Sequence, residues 1–393
     1  MKKVVLRLAF LPLLLPLGAE AQQNVGTPGD NTLSPVINGN RSVTLRLAAP
    51  KAKDVRVIGD WDDSPSGSKM VKGRDGMWTY STDSLASEMY TYRYVVDGMT
   101  IIDPANPFAK RDVGSLFSVF YIDGGAGDNY QVHDVPHGKV TEVWYHSNRL
   151  GTDRRMQVYT PPYYDSTERN YPVLYLLHGS GGDENAWVEL GNAARIMDNL
   201  IAQGKAQPMI VVMPNGNPGM QAAPGETIEN LAYRPTMSNN LPGFRNGAYE
   251  ESFPEIVSFI DSRYRSVPDK AHRAIAGLSM GGFHSLTISA NYPDLFDYVG
   301  LFSAGFPAAD SSVTAYADME QKIKRQADKG LKLYWVGCGI DDQFRIHDKA
   351  RDFAGHMKGY GVNATFHSSP KGHVWSNWRQ YLLLFVPRLF RQS

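Results

Sequence analysis

The sequence predicts two units in tandem: a small all-β sandwich, then an α/β domain on a mostly parallel sheet covered on both faces. Three observations predict it. Short strand-like runs punctuated by Gly, Asp, Pro and Ser fill residues 32 to 122. From about residue 138, continuous apolar runs alternate with helix-patterned segments, as parallel strands buried on both faces require. The chain also has 393 residues, too many for one ordinary core.

The first 21 residues, MKKVVLRLAFLPLLLPLGAEA, carry Lys2, Lys3 and Arg7, then a leucine-rich run, then small residues. That order predicts a secretory signal cleaved after Ala21, so the mature protein is expected to be secreted or periplasmic. No later stretch approaches the ~20 apolar residues of a membrane span. Residues 22–127 follow as the sandwich. SVTLRLAA, DVRVIGDW, GMWTYSTD, MYTYRYVVDG and SLFSVFYIDG are its strand candidates. Residues 128–139 lack periodicity and read as a linker. Residues 140–393 form the α/β domain. TEVWYHS and RRMQVYTPP open it as an antiparallel pair, and YPVLYLLHG, PMIVVMPNG, HRAIAGLS, FDYVGLFSAGF, LKLYWVGCG and NATFHSS supply further strands between helices. Ligands in such sheets bind beyond the carboxyl ends of the strands.

Composition excludes several functions. Forty basic residues balance forty acidic ones, so no excess positive field recruits nucleic acid. Cys338 is the only cysteine, which rules out an internal disulfide or a thiolate metal cluster. It sits in the apolar run LYWVGCG and reads as a small core residue. The histidines lack metal-ligand spacing, and neither a metal nor another cofactor is expected.

HRAIAGLSMGGFHSL reads as strand, tight turn and helix, with Ser279 at the apex. A G-x-S-x-G sequence on such a turn exposes the serine hydroxyl above the sheet as a nucleophile. The hydroxyl needs a base to take its proton and an acid to orient that base, in the chain order Ser, Asp/Glu, His. His347 and His356 fall in a helix and His367 within a strand. His373, in SPKGHVWSNW, falls on the loop after the last strand, where the base belongs. The acid comes from GIDDQF at a strand end. Only one of its two carboxylates can face the base, and Asp342 is preferred over Asp341. The oxyanion needs two backbone donors. Met280 N–H follows the nucleophile, and Ser180 in LLHGSGG is the other candidate, with Gly181 next. His178 beside it reads as a structural hydrogen-bonding residue. Trp375 and Trp378 flank the base and are candidate substrate contacts. Arg234 and Arg245, in and beside the irregular insertion ENLAYRPTMSNNLPGF, are candidate cationic contacts.

Five motifs, YLLHGSGGDENAW, MIVVMPNG, AIAGLSMGG, VGCGIDD and GHVWSNWR, stand in this order over residues ~140–390. Together they resemble the esterase D-like branch of α/β-hydrolases, most of all the feruloyl and acetyl-xylan esterases of carbohydrate esterase family one. The resemblance implies Ser279, Asp342 and His373 as a triad and Ser180 and Met280 as oxyanion amides. It also implies feruloylated or acetylated xylan or arabinoxylan oligosaccharides as substrates. VRVIGDWDD, GMWTY, YTYRYVVDG and DPANPFAKRD resemble the immunoglobulin-like carbohydrate-binding modules that precede glycogen-branching enzymes. Trp61 and Trp78 are there either sugar platforms or core residues. The alternatives to a feruloyl esterase are a trilactone siderophore esterase, an acyltransferase on the same scaffold, and a non-catalytic carbohydrate-binding protein. Because every catalytic candidate follows the linker, loss of residues 22–135 is expected to spare small-ester hydrolysis.

Overall fold

Two antiparallel sheets in the N-terminal part enclose one core, and an eight-stranded sheet with helices on both faces follows. The computed structural model describes residues 32–62, 64–217, 246–306 and 312–391. The candidate signal segment therefore lies outside the described residues, as do Arg234, Arg245 and the insertion around them.

In the N-terminal unit one sheet runs Val36–Ile37, Val43–Ala48, Met77–Ser81, Val71–Lys72. The other runs Ser68–Lys69, Val55–Gly59, Glu88–Val96, Ser115–Ile122, Ala109–Asp112, with Met99–Ile101 paired to Glu88–Val96. Alternation in the sequence becomes alternation in burial. Val43, Leu45 and Leu47 point inward from one strand, and Val55 and Val57 from the facing sheet. The two tryptophans belong to this interior. Trp78 is 4% exposed and donates its indole N–H to Ala49 O at 2.9 Å. Trp61 packs among Tyr80, Tyr90, Tyr92 and Phe120 at ring-centroid distances of 5.8–6.4 Å. Trp78 therefore offers no flat face to a sugar ring, whereas Trp61 is half-buried.

The second unit contains β1 (Lys139–Ser147), β2 (Thr152–Thr160), β3 (Val173–Leu177), β4 (Ile210–Pro214), β5 (Arg273–Leu278), β6 (Tyr298–Phe302), β7 (Leu333–Gly339) and β8 (Ala364–Ser369). They lie in the order β1-β2-β4-β3-β5-β6-β7-β8. β1, β2 and β4 pair antiparallel, and every pairing from β4 to β8 is parallel. The helices are α1 (Ala186–Glu189), α2 (Ala193–Ala202), α3 (Ala248–Arg263), α4 (Met280–Asn291), α5 (Met319–Asp328), α6 (His347–Gly359) and α7 (Trp375–Phe385).

The continuous apolar strands feed two cores, one per face. Val173, Tyr175 and Leu177 of β3 join α3, α4 and α6 on one face. Leu174 and Leu176 join α2 and α7 on the other. This second core also takes Met89, Val119 and Tyr130 from the N-terminal part, so the two units share packed interior. Residues 128–139 are no free tether. Tyr130 is fully buried, and the Asn199 side chain of α2 donates to Asn129 O and Gln131 O, each at 3.1 Å.

Candidate active site

β5 ends at Leu278 and α4 begins at Met280, so Ser279 is the whole turn between them. Its backbone is at φ 51° and ψ −113°, a sparsely populated region that costs a non-glycine residue about 1–3 kcal/mol. The neighbours hold it there. Ser279 N–H donates to Phe302 O at 2.8 Å, and Ser279 O accepts from Gly305 N–H at 3.2 Å. Gly281 lets α4 start so close to the sheet. A Cβ there would stand 2.5 Å from the carbonyl oxygens of both Leu177 and His178. The first N–H groups of a helix have no partner inside it, so Met280 N–H is free to point at a developing anion beside Ser279.

The segment after β3 forms a tight turn over the same spot. Gly182 N–H donates to Gly179 O at 3.1 Å, and Gly181 takes φ +76° at the third position, as a type II turn requires. This presses Gly179 onto Ser279: a Cβ on Gly179 would be 3.3 Å from that of Ser279. Ser180 faces the cleft at the second position of the turn, where its N–H is not consumed by the turn's own hydrogen bond. Gly181 is buried, and its part is the turn itself; it is not among the cleft-lining residues.

Buried polar groups brace this turn. His178 Nε2 accepts from Gly216 N–H at 2.8 Å and Nδ1 lies 2.8 Å from Gly179 O, while burial pulls the imidazole down to about 4. The Asn217 amide donates to Gly182 O at 2.8 Å. Glu184, 1% exposed, takes Arg155 at 2.6 Å and the Asn215 amide at 2.9 Å. Burial and the neighbouring Asp183 raise its carboxyl above the usual range even so.

The candidate acid and base follow the last two strands, β7 and β8. Asp342, past the end of β7, has a buried side chain, whereas Asp341 is exposed. Asp342 Oδ2 lies 2.8 Å from His373 Nδ1 on the loop between β8 and α7, and Oδ1 accepts the Phe344 N–H at 3.0 Å. With Nδ1 held by the carboxylate, Nε2 is left to deal with a hydroxyl. Trp378 and Phe344 meet the imidazole edge-on at 5.0 and 4.8 Å. Trp378 is 6% exposed, so it supports the base more than it offers surface to a substrate. Cys338 near the end of β7 is fully buried, and burial and Asp342 push its thiol up to about 12, leaving no thiolate.

Ser279, His373, Ser180 and Trp375 line one cleft of about 500 Å³. A second cavity of about 480 Å³, walled by Pro136, Pro162 and Tyr163, holds none of the candidate catalytic groups. Among the described residues no His/Cys/Asp/Glu group could hold a metal ion, and no helix is long and apolar enough to cross a membrane.

Sequence reasoning missed three features. One is the Arg155–Glu184–Asn215 brace. Another is the buried pair of His284 Nδ1 and Glu250 Oε1 at 2.8 Å; burial opposes ionisation of Glu250, but His284, with hydrogen bonds from Glu250's own backbone and from Tyr316, holds the carboxyl below its usual range. The third is the hairpin of the N-terminal unit, whose residues Ala109–Val113 and Leu116 form a wall of the cleft. Only long-range pairing creates these contacts, and no local pattern signals them.

A family model described as "Putative esterase" matches residues 147–389. An endo-1,4-beta-xylanase/feruloyl esterase of Xylanibacter ruminicola is 29% identical over 367 residues, covering 91% of this chain and 46% of that protein. The chain thus spans under half the length of that relative. A solved ferulic acid esterase is 28% identical, with a TM-score of 0.52, over 64% of this chain and 97% of its own. That leaves it too short to hold a counterpart of the whole N-terminal unit. The enterochelin esterase of Shigella flexneri, 17% identical, has a TM-score of 0.63 over 89% of this chain and 92% of that one, a likeness of fold across both units.

Proposed function

The chain belongs to this esterase family, and we propose that it is an exported serine carboxylesterase releasing feruloyl or acetyl groups from plant cell-wall xylan. The observation that carries the reading is the Asp342–His373 pair at 2.8 Å in one cleft with a serine held at φ 51° on a strand-to-helix turn. In the proposed reaction Ser279 Oγ attacks the ester carbonyl while His373 Nε2 takes its proton. Met280 and Ser180 N–H groups receive the oxyanion. The C–O bond then breaks, the alcohol leaves with the proton from His373, and water repeats the sequence to free the acid. Asp342 keeps the imidazole in the productive tautomer throughout.

The acyl preference draws on the cleft's chemistry. Trp375, Leu190 and Leu278 give it an apolar side, and Asn185 and Gln343 add polar anchors, as a planar phenolic acyl group needs. The two cations on its described wall, Lys110 and Arg111, are each paired with a carboxylate, Glu189 and Asp183. That favours a neutral ester over a polyanionic one. The likeness to the xylanase/feruloyl esterase supports the same choice, and the leader-like residues 1–21 support export. We also read the N-terminal unit as an immunoglobulin-like module of carbohydrate-binding type, its tryptophans serving as core.

A trilactone siderophore esterase is the second reading, favoured by the two-unit likeness to the enterochelin esterase. Turnover of methyl ferulate, an aryl acetate and a catecholate trilactone by the purified protein separates the two. A kcat/KM for methyl ferulate at least about tenfold above that for the trilactone is expected. The opposite ranking transfers the assignment to siderophores. No turnover of any ester removes the enzymatic reading.

A further inference from the structure

The wall of the cleft contributed by the N-terminal unit plays no part in the acyl-transfer chemistry, yet it faces the same space as Ser279 and His373. Its attachment is of the kind that fixes a site. Lys110 and Arg111 on the hairpin pair with Glu189 of α1 and with Asp183 in the loop after β3. Below them Arg379 of α7, 3% exposed, donates to Glu88 Oε1 at 2.9 Å and to Met89 O at 3.3 Å. The same guanidinium donates to Leu190 O at 2.8 Å, and Leu190 itself lines the cleft. Met89 and Tyr130 are buried in the core behind α2 and α7. The hairpin is therefore held in register with the nucleophile by packed interior and not by a tether.

Two hairpin side chains have chemistry left over. Leu116 is 54% exposed and lines the cleft mouth, an apolar surface with nothing on it. Asp112 and Trp375 line the same cleft, and the Trp375 side chain favours the ionised form of the Asp112 carboxylate. A carboxylate accepts about four hydrogen bonds, so Asp112 retains acceptor capacity facing the substrate space. The two neighbouring cations are already paired, which leaves Asp112 as the wall's acceptor for a neutral, hydroxyl-bearing group. Burial and the nearby Asp60 raise its carboxyl above the usual range, as expected where water is partly excluded.

We infer that the hairpin around residues 109–116 is the specificity-determining wall of the ester site, with Leu116 limiting acyl bulk and Asp112 accepting a hydrogen bond from a phenolic hydroxyl. This rests on the esterase reading, and it gives the N-terminal unit a role in substrate choice that a single-unit esterase cannot have. The test compares Leu116→Trp, Asp112→Ala and the control Met99→Trp, which is exposed on the same unit outside the cleft. Leu116→Trp is expected to lower kcat/KM for methyl ferulate about tenfold, chiefly through KM, while an aryl acetate stays within about twofold. Asp112→Ala is expected to cut the preference for methyl 4-hydroxycinnamate over methyl cinnamate about tenfold, as loss of a hydrogen bond to a charged group does. Met99→Trp should change neither ratio. Wild-type turnover with unchanged ratios in both cleft variants overturns the hairpin inference alone. Failure of the wild-type chain to hydrolyse any of these esters overturns it together with the esterase reading.

Discussion

His178 Nε2 accepts the Gly216 N–H at 2.8 Å while its Nδ1 lies 2.8 Å from Gly179 O, so one imidazole joins the turn after β3 to the segment after β4. Accepting at Nε2 leaves the proton on Nδ1, which makes the neutral ring the structural one. Burial enforces that choice by lowering the pKa from 6.5 to about 4. An unfolded chain takes up this proton near pH 6.5 and the folded chain does not until about pH 4. The stabilisation is therefore complete above pH 6.5 and is lost as the pH falls towards 4, an effect on the order of 3 kcal/mol. Denaturant unfolding at pH 7, 5.5 and 4.5 should show this decline. In His178→Gln, which cannot titrate, the decline should be shallower; an identical slope in the variant would remove His178 as its source.

Ser279→Ala should lower kcat by a factor on the order of 10³–10⁶, as loss of a triad nucleophile does, with the fold intact. The strained backbone adds a second expectation. Alanine keeps the Cβ that makes φ 51° costly, whereas glycine accepts it. Ser279→Gly should be equally inactive, yet more stable than Ser279→Ala by roughly 1 kcal/mol. Thermal melts of the two variants measure the difference, and a lower Tm for the glycine variant contradicts strain at the turn.

Asp342→Asn should cost activity by a factor approaching 10⁴, because an amide at this position holds the wrong imidazole tautomer. Asp341→Asn should leave activity within about twofold, since its side chain is exposed and makes no contact with the base. Steady-state kinetics of the pair decide the matter, and the reverse ranking would reassign the acid.

How far these residues could be read from the sequence follows from the range of the interactions that define them. Ser279 and His373 are legible because their positions are local: one is a strand-to-helix turn between glycines, the other a loop after the last strand. The division of β3, whose residues alternate between two cores, is legible for the same reason. Choosing Asp342 over Asp341 needs the turn in which Phe344 N–H closes on Asp342 Oδ1, a detail that two adjacent carboxylates do not announce. Trp61 and Trp78 carry one composition and two possible roles, and only the burial of Trp78 and the packing of half-buried Trp61 against Tyr90, Tyr92 and Phe120 place them at the core. Arg379 reads as an ordinary helix charge, yet its partner Glu88 stands 291 positions away.

That last contact bears on whether the C-terminal unit can act alone. All catalytic candidates lie beyond residue 140, and from the sequence they need nothing upstream. The shared interior argues otherwise. Removing residues 22–135 uncovers the core face that packs on Met89, Val119 and Tyr130. It also leaves Arg379 without Glu88 and Met89 O, and strips the cleft of the hairpin wall. Each large apolar side chain left facing water forfeits about 1.5–3 kcal/mol of burial, and a few of them make a large share of the 5–15 kcal/mol that holds a typical domain. The truncated chain is therefore expected to melt well below the full chain and to lose activity towards aryl acetates as well as ferulates. Arg379→Leu in the full chain separates the two causes. It removes the charge but keeps hairpin and apolar contacts, so it should lower stability while preserving the ratio of rates on acetate and ferulate. Melting curves and kcat/KM for both esters are the measurements. A truncated protein that keeps the parent Tm and its acetate activity would mean that the shared core carries neither stability nor site geometry.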